Sequence, residues 1–165
     1  MIKYLIIFLA ILIIVLAGGL IFFEKIKPDY EIIKIKILDS ATQSVKFQGE
    51  VEIADTAIER AKGLSRRKCL KDNNGICPSL AEGMLFLFKE QNNQSFWMAG
   101  MNFPLDIIWI NGDKIVDISK NIQSPKSGEL PAIVSPSMEV DKVLEISAGS
   151  VDKFDIKAGD KLEYD

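Results

Sequence analysis

The feature that most constrains this chain is an apolar segment near its amino terminus. Residues 4–23 read YLIIFLAILIIVLAGGLIFF and contain no charged side chain. At about 1.5 Å per residue, a helix of this length spans roughly 30 Å, the thickness of the hydrocarbon core of a bilayer. A buried helix of a soluble protein has an apolar stripe rather than apolar residues all round. The sequence therefore predicts a transmembrane anchor in residues 1–23 that binds the lipid bilayer through residues 4–23.

A cleaved signal peptide is the alternative interpretation of the same segment. Small residues precede Gly18, where a signal peptidase could cut. The apolar run continues past that point through residues 20–23, so we favour an uncleaved anchor. Lys3 stands on one side of the segment, and Lys25 and Lys27 stand on the other. This near balance of positive charge leaves the membrane orientation undecided by the positive-inside rule.

The two cysteines give a second indication of the compartment. Cys69 and Cys77 are the only cysteines in the chain, and two that can pair suit an oxidising compartment. A bridge that closes so short a loop stabilises the fold by about 2.5 kcal/mol in the chain-entropy model. We therefore expect a disulfide and an extracytoplasmic domain on a single-pass protein of the cell membrane. Two free thiols in a cytosolic domain are the alternative.

Composition excludes several classes of function. The 165 residues include 20 Lys and Arg, 23 Asp and Glu and no His, for a net charge of -3. This acidic balance argues against nucleic acid as a partner, because phosphate binding requires a basic face. Without His there is no Ser-His-Asp triad, Cys–His pair or His-ligated zinc. Residues 72–75 lack the spacing of a calcium loop, so we expect neither a metal nor a cofactor.

Beyond the anchor the residue pattern is that of short strands. Residues 24–44 are interpreted as a tether followed by a first strand, and residues 45–165 as a single β domain. Strands are predicted at 30–38, 45–53, 84–88, 95–98, 105–110, 114–118, 143–146 and 161–164, from β-branched and alternating apolar residues. The fold class predicted is mainly β, a compact β-sandwich or barrel-like domain with one short helix.

Three local signals refine this prediction. Thr56 and Glu59 have the spacing of a capping box, which predicts a short helix that Gly63 ends. Asn111-Gly112 lies between two apolar runs and predicts a hairpin with a type I′ turn. Gly49 is a candidate bulge in its strand.

Aromatic residues concentrate between residues 83 and 110. Six of the ten aromatic residues outside the anchor lie there, together with three methionines. One interpretation is hydrophobic core, which a small β domain needs. The other is an apolar ligand pocket or peptide-binding groove, for which Trp97, Met98 and Trp109 are candidate binding residues.

Two carboxylates stand within apolar strands. Asp106 lies in PLDIIW and Glu145 in VLEI, so each either points to solvent or needs a partner. Arg60 and Arg66 are candidate partners for Asp106. If both carboxyl groups lay in one cleft, they could act as an acid–base pair for glycoside cleavage. Simple strand alternation with outward carboxylates is the alternative.

Blocks of residues spread over most of the soluble part resemble the domain of unknown function 192 family. The blocks are Glu59-Arg60, Gly63-Leu64-Ser65, Arg67, Gly83-Met84-Leu85-Phe86, Phe88, Phe96-Trp97-Met98, Met101, Pro104-Leu105-Asp106-Ile107-Ile108-Trp109-Ile110, Leu144-Glu145, Ala148-Gly149 and Gly159-Asp160. The resemblance covers about residues 45–165. It implies a mainly-β domain that often follows a signal or anchor segment, and it implies no activity.

The same resemblance marks four polar positions and two departures. The family's polar positions matched here are Glu59, Arg60, Asp106 and Glu145. Many members have a Lys where this chain has Ala99, and the stretch from Cys69 to Cys77 resembles an insertion into a shorter loop.

We therefore predict a membrane-anchored extracytoplasmic β domain that is more plausibly a binding module than an enzyme. Its partner would be a small ligand, a glycan or an envelope protein, bound through residues 96–109. A carboxylate-based hydrolase acting on cell-envelope polysaccharide is one alternative. A purely structural or assembly domain is another, and it requires both tryptophans to be buried.

Overall fold

A computed structural model of the chain describes residues 30–71, 77, 79 and 81–164. The segment predicted to cross the membrane lies outside the described residues. Residues 72–75, which were considered as a calcium loop, lie outside them as well. In the part of the chain that is described, no helix is long and apolar enough to cross a membrane.

The described residues form nine strands and two short helices, numbered here in chain order. The strands are β1 Ile32–Leu38, β2 Val45–Ala54, β3 Gly83–Asn92, β4 Phe96–Trp97, β5 Leu105–Asn111, β6 Lys114–Ile122, β7 Ile133–Val134, β8 Val140–Ser147 and β9 Lys161–Tyr164. The helices are α1 Ala57–Lys62 and α2 Ser150–Lys153. The predicted mainly-β class is confirmed, with a second helical turn added.

Seven of the strands close into a barrel, and the other two form a separate ribbon. The order around the barrel is β1-β2-β3-β8-β5-β6-β9, and β9 pairs with β1 to complete the circle. Strands β2 and β3 pair in parallel, and α1 lies in the connection between them. The remaining neighbours are antiparallel. The ribbon is formed by β4 and β7.

Alternation along the strands produces two apolar clusters. The barrel interior is filled by one set of alternate side chains, including Ile35, Val51, Leu85, Ile108 and Leu144. The side chains between them on β3, β5 and β8 point outward and form a second cluster. The loop after α1, the ribbon and the segment that follows β4 cover this outer cluster. Strand β5 is therefore buried on both of its faces.

The predicted hairpin forms with its turn one residue later than expected. Asn111 pairs with Lys114, so the central residues of the turn are Gly112 and Asp113. Among these residues only Gly112 has positive φ, at 62°. A type II′ turn needs positive φ at its first central residue alone, whereas type I′ needs it at both. The type I′ prediction is therefore wrong.

The predicted bulge at Gly49 is also wrong. Gly49 pairs with Ile35 within a continuous register, and the irregularity of this strand pair lies between Ile37 and Leu38. A Cβ at Gly49 would collide with a carboxylate oxygen of Glu82 and would stand 2.8 Å from the ring of Phe47. The glycine therefore makes room for a neighbouring side chain rather than for an extra residue.

Candidate functional site

A small cavity lies on the outer face of the barrel, between the end of α1 and the ribbon. Its volume is about 30 Å³, enough for one or two water-sized groups. Lining side chains include Glu145, Ser65, Met101 and three aromatic residues, Phe86, Phe96 and Trp97. Residues 60–64, at the end of α1 and just beyond it, form one wall.

The strand register explains why Glu145 lies in this cavity. Glu52 on β2 pairs with Met84 on β3, Met84 pairs with Glu145 on β8, and Glu145 pairs with Ile107 on β5. Paired residues of neighbouring strands point to the same side of a sheet. The four side chains therefore form a row across the outer face, beneath the covering loops.

The two carboxylates of this row have different surroundings. Arg67 binds both carboxylate oxygens of Glu52, one of them at 2.7 Å, and its guanidinium lies 5.1 Å from the centre of the Tyr30 ring. Glu145 is 5% exposed and makes no hydrogen bond or ion pair with any residue in the described ranges. Glu52 is thus a structural partner, whereas Glu145 is buried without one.

Burial controls the ionisation of Glu145. Loss of hydration raises the pKa of its carboxyl group to about 8, and the charge of Arg67 opposes this only in part. No side-chain oxygen within the described residues is sealed from solvent without a partner, so the Glu145 oxygens retain a small contact with solvent. That contact is at the cavity, which Glu145 lines. The cavity floor is therefore a carboxyl group able to donate or accept a hydrogen bond at neutral pH.

The aromatic side chains that line the cavity extend from the core, at Phe86 and Phe96, to the surface, at Trp97. Phe96 packs edge-on against Phe86, with ring centres 4.8 Å apart, and against Trp109 at 5.6 Å. Trp97, the next residue of β4, is 63% exposed although it also lines the cavity. Its neighbour across the ribbon, Ile133, is 68% exposed. Trp97 therefore presents a large apolar surface at the mouth of the cavity.

Helix α1 holds the opposite wall. Thr56 and Glu59 form the predicted capping box, and hydrogen bonds from the backbone N–H groups of Thr56 and Asp55 help lower the pKa of Glu59. Arg60 donates to the backbone carbonyl oxygens of Asp55 and Leu87, the latter at 2.9 Å. Glu59 thus caps the helix, and Arg60 joins the helix to the middle of β3.

Two residues predicted to bind a ligand are core residues instead. Trp109 is fully buried, and its indole N–H donates to the Ser119 hydroxyl at 3.0 Å. Met98 is 1% exposed and belongs to the outer cluster. Trp97 alone of these three candidates reaches solvent. A purely structural role required both tryptophans to be buried, and the exposure of Trp97 does not meet that requirement.

Asp106 has neither the arginine partner nor the carboxylate partner considered for it. Its two oxygens accept hydrogen bonds from the backbone N–H groups of Asn121, at 2.8 Å, and Val151, at 2.9 Å. Asp106 pairs with Ile146, whereas Glu145 pairs with Ile107, so the two carboxyl groups point to opposite faces of the sheet. The acid–base pair of the hydrolase hypothesis is therefore not formed.

The expected disulfide is present. Cys69 and Cys77 are bonded, with their Cα atoms 5.9 Å apart. Leu70, next to Cys69, is 4% exposed in the outer cluster, so the bridge secures the loop that covers this face. Within the described ranges no cluster of three or more acidic, cysteine or histidine side chains is arranged to hold a metal.

Sequence reasoning missed the residues that close the cavity. Ser65 donates to the carbonyl oxygen of Ala99 at 3.0 Å and joins the loop after α1 to the segment after β4. Met101, Phe86 and Phe96 were visible only as members of an aromatic-rich stretch. Their shared cavity depends on contacts between segments some 30 residues apart, which periodicity does not reveal.

The chain belongs to the domain of unknown function 192 family, described as an uncharacterized ACR family, whose model matches residues 37–164. It is 25% identical over 126 residues to a UPF0127 protein of Thermococcus gammatolerans, covering 75% of this chain and 72% of that one. The resemblance seen in the sequence is thus confirmed.

Two solved structures have the same fold. One, from Sinorhizobium meliloti, is named as a candidate transcription regulator; it matches with a TM-score of 0.70 and 26% identity, over 84% of this chain and 97% of that one. The other is a protein of unknown function from Novosphingobium aromaticivorans, with a TM-score of 0.64 and 30% identity, over 83% and 89% of the two chains.

Proposed function

We propose that this protein is a non-catalytic binding module, held at the outer side of a cell membrane by residues 4–23. Its ligand, an as yet unidentified small molecule, glycan or envelope protein, inserts a small group into the cavity above Glu145. The buried and unpartnered carboxyl group of Glu145 is the observation that carries this proposal.

A carboxyl group in such a place lowers the stability of the fold. A carboxyl group that loses most of its hydration and gains no hydrogen bond from the protein costs free energy that an apolar side chain of similar size would not. Structures retain groups of this kind where a ligand supplies the missing partner, and a strongly raised pKa in a cleft is typical of such sites. Glu145 fits this description.

Trp97 supplies the second part of a binding site. A tryptophan that is 63% exposed has a large apolar surface in water, and exposed tryptophans are frequent anchors of binding interfaces. Because Trp97 borders the same cavity as Glu145, one ligand could contact both. An apolar contact beside a single polar group is the usual composition of a small-ligand site.

The proposed location rests on two further features. The uncharged segment at residues 4–23 has the length of a bilayer-spanning helix. The bond between Cys69 and Cys77 is of a kind that persists in oxidising compartments.

The test is a ligand screen on the full-length chain with matched variants. N-acetylglucosamine oligomers, short peptides and alkylamines would be screened by saturation-transfer NMR. Binding of at least one class, reduced tenfold or more by Trp97→Ala and unchanged by Tyr164→Ala, is the expected result. Tyr164 is an exposed aromatic residue on β9, which does not border the cavity. Binding that is equal in both variants would place the ligand elsewhere and refute the site.

A further inference from the structure

The chemistry of the cavity selects for a hydrogen-bond donor. Its floor is the Glu145 carboxyl, which lacks a hydrogen-bond donor within the described residues. The Ser65 hydroxyl in the same cavity uses its hydrogen on the Ala99 carbonyl, so its oxygen is left to accept. The sulfur of Met101 and the aromatic faces are weak acceptors as well. When the Glu145 carboxyl is ionised, a group that only donates, with several hydrogens, matches these surroundings best.

The guanidinium groups of the two arginines near the cavity are bound elsewhere. Arg60 lines the wall, but its guanidinium donates to two backbone carbonyls and lies 5.2 Å from the centre of the Phe88 ring. Arg67 is held by both oxygens of Glu52. Lys62 lines the wall too, but among the described charged groups Arg67 is the one that influences the pKa of Glu145. The floor of the cavity is therefore open to a cation from the ligand.

We infer that the group bound in this cavity is a primary ammonium on an aliphatic stem, with the nitrogen at Glu145 and the stem against Trp97. This inference rests on the function proposed above. A volume of about 30 Å³ accommodates one ammonium group and leaves the stem at the mouth. Aromatic rings attract a cation over their faces, and a charged hydrogen bond to a carboxylate is stronger than a neutral one.

A quaternary ammonium and a sugar fit less well. A trimethylated nitrogen has no N–H, so the Glu145 carboxyl would remain without a hydrogen-bond partner. A sugar could stack on Trp97, but its ring is too large for the cavity and only one hydroxyl could reach the floor. The primary ammonium could come from a lysine side chain, a polyamine or an aminolipid headgroup.

The test compares n-pentylammonium with 1-pentanol, which has the same shape without the charge. Affinity would be measured on the full-length chain in dodecyl maltoside from the fluorescence of Trp97, with Trp109→Phe removing the other tryptophan. We expect n-pentylammonium to bind at least tenfold more tightly than 1-pentanol or pentyltrimethylammonium.

Two variants test the role of Glu145. Glu145→Gln should remove the preference for the amine. Glu163→Gln, which changes an exposed residue of β9, should retain it. Three further ligands then distinguish the sources of the amine. Nα-acetyl-lysine amide represents a lysine side chain, spermidine a polyamine, and phosphatidylethanolamine in mixed micelles an aminolipid headgroup.

A second measurement follows the affinity for the amine as a function of pH, with Glu145 and Trp97 unchanged. Because binding an ammonium requires an ionised Glu145, affinity should rise about twentyfold between pH 6.5 and pH 8.5 while the amine stays charged. The charged groups that face Glu145 or border the cavity are Arg67, Arg60 and Lys62.

The outcomes separate this inference from the proposed function. Equal affinity for the amine and the alcohol, a flat pH profile or full retention in Glu145→Gln overturns the ammonium assignment. Trp97→Ala lacks the fluorescent reporter, so its binding would be measured by saturation-transfer NMR. If Trp97→Ala still weakens binding of the alcohol, the cavity remains the binding site with a different ligand chemistry. If neither Trp97→Ala nor Glu145→Gln changes binding, both proposals fail.

Discussion

At the scale of single residues, two buried carboxylates of one sheet have opposite roles. Asp106 accepts two backbone hydrogen bonds and holds the ends of β6 and α2, whereas Glu145 accepts none. Both are at most 5% exposed. The difference lies in which face of the sheet each occupies, and it separates a structural carboxylate from one available to a ligand.

The raised pKa of Glu145 makes the stability of the protein depend on pH. The folded-state pKa is about 8, above the ordinary value of 4.5, so the folded chain holds a proton that the unfolded chain releases. The stabilisation is complete below pH 4.5 and is lost as the pH rises through 8. Relative to Glu145→Gln, the wild type should lose roughly 4 kcal/mol of unfolding free energy between pH 5 and pH 9. Urea denaturation at several pH values measures this.

The control for this prediction is Glu163→Gln, which removes an exposed carboxylate. Its stability should follow that of the wild type across the same range. If the free energy of unfolding depended on pH in the same way for the wild type and Glu145→Gln, Glu145 would be hydrated or paired in the folded chain.

Replacing Asp106 should destabilise the fold without affecting the cavity. Asp106→Ala leaves two backbone N–H groups without an acceptor, which costs about 2–4 kcal/mol. Chemical denaturation would measure the loss, and binding at the cavity should be retained under folding conditions. Asp152→Ala is the matched control, because that carboxylate is 73% exposed and pairs only with Lys120 at the surface. A loss below 1 kcal/mol for Asp106→Ala would contradict the structural role.

Residue-level prediction from the sequence succeeded where the cause was local. The capping box of Thr56 and Glu59 involves neighbours in the chain, and its spacing identified it. Alternation left open whether Asp106 and Glu145 point outward, and of the two only Glu145 lies on the outer face of the sheet. Alternation also could not show that this face is covered, because most of the cover comes from residues about 45 to 80 positions earlier in the chain and the rest from β7. The same limit made Trp109 a candidate for binding rather than core.

At the scale of elements, a disulfide cross-links the loop that covers part of the outer cluster. The loop after α1 has no strand partners among the described residues. Cys69–Cys77 cross-links it internally, and the Arg67–Glu52 and Lys71–Glu50 ion pairs join it to β2. This loop supplies Ser65 to the cavity and Leu70 to the cluster beneath it. Its order therefore affects both stability and binding.

Loss of the disulfide should destabilise the domain moderately. Replacing both cysteines with serine removes a bridge across 8 residues, worth about 2.5 kcal/mol in the chain-entropy model. Denaturation of the wild type with and without a reducing agent should show the same difference, whereas the double variant should not respond to the reductant. An unchanged midpoint in the double variant would show that the loop is held by its other contacts.

At the scale of the whole molecule, the class of fold was predictable and its closure was not. Short alternating runs indicated a β domain with either a sandwich or a barrel architecture. The barrel closes where β9 pairs with β1, which brings together residues 35–38 and 161–164. No local pattern encodes such a contact, because it depends on the summed twist and register of the intervening strands.

The proposed anchor leads to a prediction for the complete chain. Expressed in cells, the full-length protein should remain with the membrane fraction after a carbonate wash, because an apolar segment of this length partitions into the bilayer. A variant lacking residues 1–23 should remain in the supernatant, which provides the control. Release of the full-length chain by carbonate would contradict the anchor.

The central claim is that the Glu145 carboxyl is buried without a partner and open to a ligand. NMR titration of a ¹³C-labelled Glu145 side chain in the full-length protein tests it most directly. We predict a pKa of about 8 for the free protein and a marked fall toward the ordinary range when n-pentylammonium is bound. A pKa near 4.5 in the free protein, or one that the amine leaves unmoved, would contradict the account.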